Sequence, residues 1–434
     1  MIEETYFLFH NDQEEEPYTC FSNLNNVNLE INWLQTNNLW NLFGNLRTIN
    51  KINAENWQLN NVYSLGKMFE NCQRLNIINV AFWNLEKVSD MGGIFHQCYA
   101  LRTLNVSNWN ISQVSSLASA FKDCRLLDGL DVSKWNTSNV ISLNFTFQDC
   151  FNLKTLNVSN WNVDNVTGFD KMFAYCNSID NLDVSNWHVH NGRYFQNMFN
   201  YCSNLKALNV SNWDVMNVLR ANLEGMFQMC TSLQELNLVN WKINKITSLD
   251  NVFRNCTNLY ELNIENWNYR NMTRMANAFY DCHNLTTIYI SNLNNVTYMT
   301  NMCRNCYNLE YISTTFAPMG EEEWACNKLY NAAYAFANCY NLTSLPFQGD
   351  GKWPDWIGPN TVNIDGMFYA CNNLKSGMFG LRMIGLMLTR ATNVTYKNLN
   401  NTNTHSPFYG TNIDYANEGD WETWDYLQSQ GWTC

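Results

Sequence analysis

The side chains of this sequence that can do chemistry recur; they do not gather. Cys72, Cys98, Cys124, Cys150, Cys176 and Cys202 follow one another every 26 residues, and Cys230, Cys256, Cys282, Cys306, Cys339 and Cys371 continue the series less evenly. Such a row has three chemical readings: disulfides, a metal site or packing. Zinc takes four ligands at the corners of a tetrahedron, whereas residues at one repeated position form a line. Equivalent Cβ atoms on adjacent turns of a repeated structure lie about 4.8 Å apart, further than the roughly 3.8 Å a disulfide prefers. Reduced thiols packed as small hydrophobes are therefore expected, and Leu46 at the same position fits that reading. Cys20, Cys303, Cys326 and Cys434 fall outside the series and are the disulfide candidates, although nothing in the sequence pairs them.

Carboxylates repeat as well. Asp131 and Asp183 occupy one position of the repeat, two turns apart, which puts their Cα atoms about 9.6 Å from each other. An inverting glycosidase holds two carboxyls about 6.5–9.5 Å apart and raises one pKa. Nothing near either Asp is set to raise it, so a polysaccharide-active solenoid enzyme ranks last among the functional readings. His10, His96, His188, His190, His283 and His405 are scattered, and the His188/His190 pair lacks a third ligand. There is no phosphate-cradling Gly loop, no G-x-S-x-G and no H-E-x-x-H. The expectation is no catalytic residue, no metal and no cofactor.

What positions these residues is an internal repeat. One unit reads L-x-x-L-N-V-S-N-W-N-V-x-N-V-x-x-L-x-x-M-F-x-x-C-x-x. Trp recurs at 57, 83, 109, 135, 161, 187, 213, 241 and 267, every interval being 26 except one of 28, and Leu293 takes its place one period later. The extra pair of residues predicts a bulge near "VLRANLEGMF". Phe stands three residues before Cys from Phe69 to Phe279. "LNV" alternates as a strand does, and the apolar spacing of three or four in "FDKMFAYCNSI" predicts a short helical or 3₁₀ turn. A unit of this kind buries its apolar face only against copies of itself. The predicted fold is a leucine-rich-repeat-like solenoid of about twelve coils, with a parallel β-sheet on one face and a cap at each end. Trp and Phe form its interior columns.

Two polar columns remain. Asn108, Asn160, Asn186, Asn212, Asn240 and Asn266 precede the Trp, and continued alternation points them inward as an asparagine ladder that Lys134 interrupts. Asn105, Asp131, Asn157, Asp183, Asn209, Asn237 and Asn263 lie mid-strand and face outward. They are the candidate binding strip, since an exposed regular strip is where such scaffolds make contacts. The recurring Asn-x-Ser/Thr triplets follow from repetition.

Composition limits the partners. The 434 residues carry a net charge of −12, and only 15% are charged, against roughly 25% in an average soluble protein. That balance argues against nucleic acid, which demands a cationic footprint, and against anionic membranes. The N-terminal "MIEETYFLFHNDQEEEPYTC" lacks a basic segment and a long apolar run, so no signal peptide is expected, and no apolar stretch is long enough for membrane insertion.

The expected organisation is a cap over 1–45, regular repeats over 46–310, irregular repeats with inserted loops over 311–375, and a helix (about 376–389) with a closing cap over 376–434. Trp353 and Trp356, in "QGDGKWPDWIGPN", are candidate loop contacts.

The unit "LNVSNWNVDNVTGFDKMFAYCNSI" resembles the 26-residue repeat of BspA-like leucine-rich-repeat bacterial surface proteins, over about residues 45–310. The end, with "THSPFYG" and a final "GW", looks like the closing module of phage-encoded relatives, although Phe408-Tyr409-Gly410 lacks their Cys. The resemblance implies attachment or protein binding without enzymatic activity. The expected function is an exposed virion component, on a phage tail or fibre, binding a protein or glycan on a host surface or a neighbouring virion protein. The alternative is a bacterial cell-surface adhesin.

Overall fold

The computed structural model describes residues 26–28, 37–218, 223–243, 245–264, 266–290, 293–313, 328–343, 360–374, 388, 393–400, 402–411 and 421–433. Residues 219–222 of the predicted bulge, most of the N-terminal cap and all of the 376–389 helix but Leu388 lie outside these residues.

Each unit contributes one short extended segment, and equivalent segments of successive units pair in parallel. β1 (Asn26–Asn28), β2 (Lys51–Asn53) and β3 (Ile77–Ile78) form one run. β4 (Gly129–Leu130) pairs with β5 (Thr155–Leu156), and β6 (Glu261–Asn263), β7 (Thr287–Tyr289) and β8 (Tyr311–Ser313) form another run. Single bridges such as Thr103↔Gly129 and Asn181↔Ala207 connect the coils between. The register is that of the repeat: Leu130 faces Leu156, and Leu262, Ile288 and Ile312 lie in line. The fold is a leucine-rich-repeat-like solenoid with its sheet on one face.

The F-x-x-C segment takes the form of linked tight turns and no continuous helix. Met68, Glu70 and Cys72 donate N–H to the carbonyls of Leu65, Lys67 and Phe69, each three residues back. The alternate N–H groups of Lys67, Phe69 and Asn71 donate to Gly92, Ile94 and His96 of the next coil at 2.7–2.9 Å. This alternation requires residues of left-handed backbone: Lys67 has φ 56° and Asn71 φ 62°, and the equivalents Ser119 and Asp123 repeat the pattern. Three-residue turns put Leu65, Met68, Cys72 and Leu75 on the inner side, which is why their spacing reads as helical. Among the described residues the only 3₁₀ helix is Tyr269–Asn271.

The interior consists of columns. Trp83, Trp109 and Trp135 are buried and stack nearly parallel, with ring centres 5.8 Å and 6.1 Å apart. Phe69 and Phe95 stack likewise at 5.3 Å. Each column also carries a polar bond between coils. Trp109 Nε1 donates to the Val80 carbonyl at 2.9 Å and Trp135 Nε1 to that of Val106 at 3.1 Å. The Cys98 and Cys124 thiols donate to the Phe69 and Phe95 carbonyls at 3.2 Å and 3.3 Å. Past the two-residue insertion both bonds resume, from Trp241 to Val210 and from Cys230 to Phe199.

The exceptions keep the same rules. Leu293 has no indole to serve the Ile264 carbonyl, and the Tyr269 hydroxyl fills the place at 2.6 Å. Cys303 stands in the Phe column: it is a buried free thiol, and Cys339 donates to its carbonyl at 3.1 Å. Phe336, Phe368 and Phe408 continue the stack at 5.5 Å and 5.9 Å, so "THSPFYG" forms one more rung. Helix α1 (Trp421–Ser429) ends in a segment where Leu427 and Trp432 are buried and Thr433 bridges Asn398.

Two outcomes follow. Tyr269→Phe leaves the buried Ile264 carbonyl with only the Trp267 N–H, so stability should fall by about 1 kcal/mol, read as a lower urea midpoint at unchanged slope. Burial pushes the thiols of Cys72, Cys202, Cys256 and Cys371 from 9.0 up to about 12. The unfolded chain loses these protons first, so stability is full below about pH 9 and declines as pH rises towards 12. Iodoacetamide at mildly alkaline pH should spare these thiols in the native protein and alkylate them in urea, as read by intact mass.

Candidate interaction surface

The outward strip begins where each strand turns. Asn105, Asp131, Asn157, Asp183, Asn209 and Asn237 are exposed, whereas Asn263, inside β6, is half-buried. Five of the exposed six close an Asx turn onto a serine two residues on, as the type of residue favours. Asp131 Oδ1 accepts from the N–H and hydroxyl of Ser133 at 3.1 Å and 2.7 Å. Asp183 does the same with Ser185 at 3.0 Å and 2.7 Å. These bonds hold both carboxyls below the usual range. One oxygen of each is thus committed to its own turn, and the other faces out.

Beside the strip runs a floor of short side chains, Thr103, Gly129, Thr155, Asn181 and Ala207. Thr103 and Gly129 of that floor, with Ile78, Leu104, Asn105 and Asp131, line a shallow open depression of about 450 Å³. Along the other edge Arg102, Asp128, Lys154, Asp180 and Lys206 alternate in sign on successive coils. Lys154 Nζ lies 2.7 Å from Asp128 and Lys206 Nζ 3.6 Å from Asp180. Sequence reasoning missed this row, although it is readable at the same 26-residue interval once the units are aligned.

The inward asparagine ladder is corrected. Asn108, Asn160, Asn186, Asn212, Asn240 and Asn266 are all exposed, and Lys134 is no interruption. Trp109 N–H bonds back to the Val106 carbonyl, so Ser107 and Asn108 form the corner of a turn and strand alternation stops before them. Bridging asparagines do exist one column later. Asn139, Asn165, Asn191 and Asn217 each donate Nδ2 to a carbonyl of the preceding coil at 2.6–2.8 Å.

Other charged groups serve the frame. Burial holds the carboxyls of Asp170 and Glu224 above the usual range, and Asp170 accepts the Gln196 N–H at 3.0 Å as a substitute backbone partner. Arg125 bonds Asp123 at 2.9 Å while lying 4.3 Å from the Tyr99 ring centre. His188 and His190 are exposed, and among the described residues no three His, Cys, Asp or Glu gather to hold a metal. Trp353, Trp356, Cys20, Cys326 and Cys434 lie outside the described residues. No described helix is long and apolar enough to cross a membrane.

Among solved structures, a leucine-rich repeat protein from Eubacterium ventriosum is 15% identical, covering 77% of this chain and 87% of its own, with a TM-score of 0.35. One from Bacteroides ovatus is 16% identical over 77% of this chain and 80% of its own, with a TM-score of 0.33. A Leptospira interrogans leucine-rich-repeat protein is 15% identical over 86% and 95%, with a TM-score of 0.27. No curated protein matches the chain. A family model described as "Mycoplasma protein of unknown function, DUF285" matches three overlapping stretches, residues 37–155, 115–234 and 221–348. These stretches span most of the solenoid, and the chain belongs to that family.

Proposed function

We propose that this chain is a non-catalytic binding protein, a rod that presents its outward strip to a partner. The observation that carries this reading is the strip itself. It repeats one exposed polar group on coil after coil, and the core makes no use of its outer atoms. Its two carboxyls are held ionised, the reverse of what a proton-donating catalyst requires. The partner is a protein or glycan on a host surface, or a neighbouring virion protein. The rod is carried on an exposed part of a phage particle, a reading drawn from the resemblance of the closing "THSPFYG" segment. A bacterial cell-surface adhesin is the second reading, drawn from the BspA-like repeat unit. Mass spectrometry of purified particles and of washed cell envelopes separates them: peptides in particles are expected, and peptides in envelopes alone favour the adhesin.

Replacing Asp131 and Asp183 together by Arg should weaken attachment to host cells about tenfold, measured as the bound fraction of labelled protein. Unchanged attachment, with loss on Trp353→Ala and Trp356→Ala, would move the contact to the inserted loop.

A further inference from the structure

A second surface lies away from the strip, at the corner where the late coils enter the sheet. Here five asparagines stand in one column, Asn258, Asn284, Asn308, Asn341 and Asn373. Each of the last four donates Nδ2 to the Oδ1 of the one before at 3.2–3.5 Å. Earlier coils carry Arg74, Ala100, Leu126, Asn152, Ser178, Asn204 and Ser232 at the same position, so the unbroken Asn run is a local feature and no property of the repeat. All but Asn341 are exposed. A laddered amide uses one N–H and one lone pair, and keeps one of each for the outside.

The next column is aromatic. His283, Tyr307 and Tyr340 stack with ring centres 4.6 Å and 5.2 Å apart, and Tyr340 is 40% exposed. Tyr260, just before β6, and Tyr311, at the start of β8, add exposed rings. The two columns contain no Lys or Arg, and Glu261 and Glu310 on the sheet side add only acceptors. Paired donors and acceptors repeating along the axis beside aromatic rings suit a chain of hydroxyl groups with apolar C–H faces. They do not suit phosphate or carboxylate, which ask for cations.

We propose that this corner binds an uncharged polysaccharide laid along the solenoid axis over coils 256–373. The surface is separate from the strip, and its test needs no host cell, so its failure leaves the attachment reading standing. The full chain is run by affinity electrophoresis through gels containing soluble mannan, galactan, β-glucan or starch. Retardation by at least one, unchanged at high salt, is expected. Tyr340→Ala combined with Asn308→Ala should weaken it about tenfold. Asp131→Arg with Asp183→Arg should leave it unchanged, with thermal unfolding of each variant showing an intact fold. No retardation in any gel, or equal retardation of the Tyr340/Asn308 variant, overturns the proposal. Retardation abolished by salt also overturns it, since contacts to an uncharged chain do not depend on ionic strength.

Discussion

A stack of coils survives only if every carbonyl turned into its interior meets a donor. Backbone N–H groups cannot supply them all, because many are spent on the neighbouring coil or on the turn behind. This solenoid brings the missing donors on side chains that are otherwise apolar. An indole N–H and a thiol reach back one coil, from Trp109 to Val80 and from Cys98 to Phe69. Trp and Cys thus fill the core and saturate it, which accounts for their regular recurrence. It also accounts for the thiols remaining protonated: each is a donor in a site without water, and the charged form has nowhere to be solvated.

The backbone of the F-x-x-C segment makes the second demand. Alternate residues bond along the stack while the others close turns, and this geometry sends the chain repeatedly through the left-handed region. Asn tolerates that region better than most residues, and Asn41, Asn71, Asn197, Asn255 and Asn305 occupy it. Part of the chain's wealth of Asn is therefore conformational. Another part bridges coils through Nδ2, and a third lies exposed at the corners. One residue type serves three purposes because its short amide can bond to its own turn, to a neighbour or to solvent.

Those purposes mark what was legible in the sequence. The period, the inward Trp, Phe and Cys, and the outward Asn105–Asn237 column could be read from spacing, since apolar alternation reports which side a residue faces. The turn after each strand could not. Alternation extended past Val106 points Asn108 inward, yet there the Trp109 N–H already closes a turn. The left-handed residues were hidden for another reason: tight turns and a 3₁₀ helix place apolar residues at the same intervals, and spacing does not reveal the sign of φ. Tyr269 was out of reach altogether. Its purpose exists only because Leu293, on the following coil, lacks an indole.

The indole and thiol bonds between coils run one way, each donor reaching back to the coil before, while the backbone N–H groups of the F-x-x-C turns reach forward to the coil after, and this gives the rod a direction. At its far end Thr411 occupies the place of the column Cys and folds its hydroxyl onto Phe408 of its own coil at 2.7 Å. Removing one whole period from the middle would bring together faces that already know how to join, because each coil asks the same of its predecessor. A break inside a period would strand an indole or a thiol from its carbonyl. Such a molecule can change its reach in steps of one turn during evolution, keeping both ends as they are.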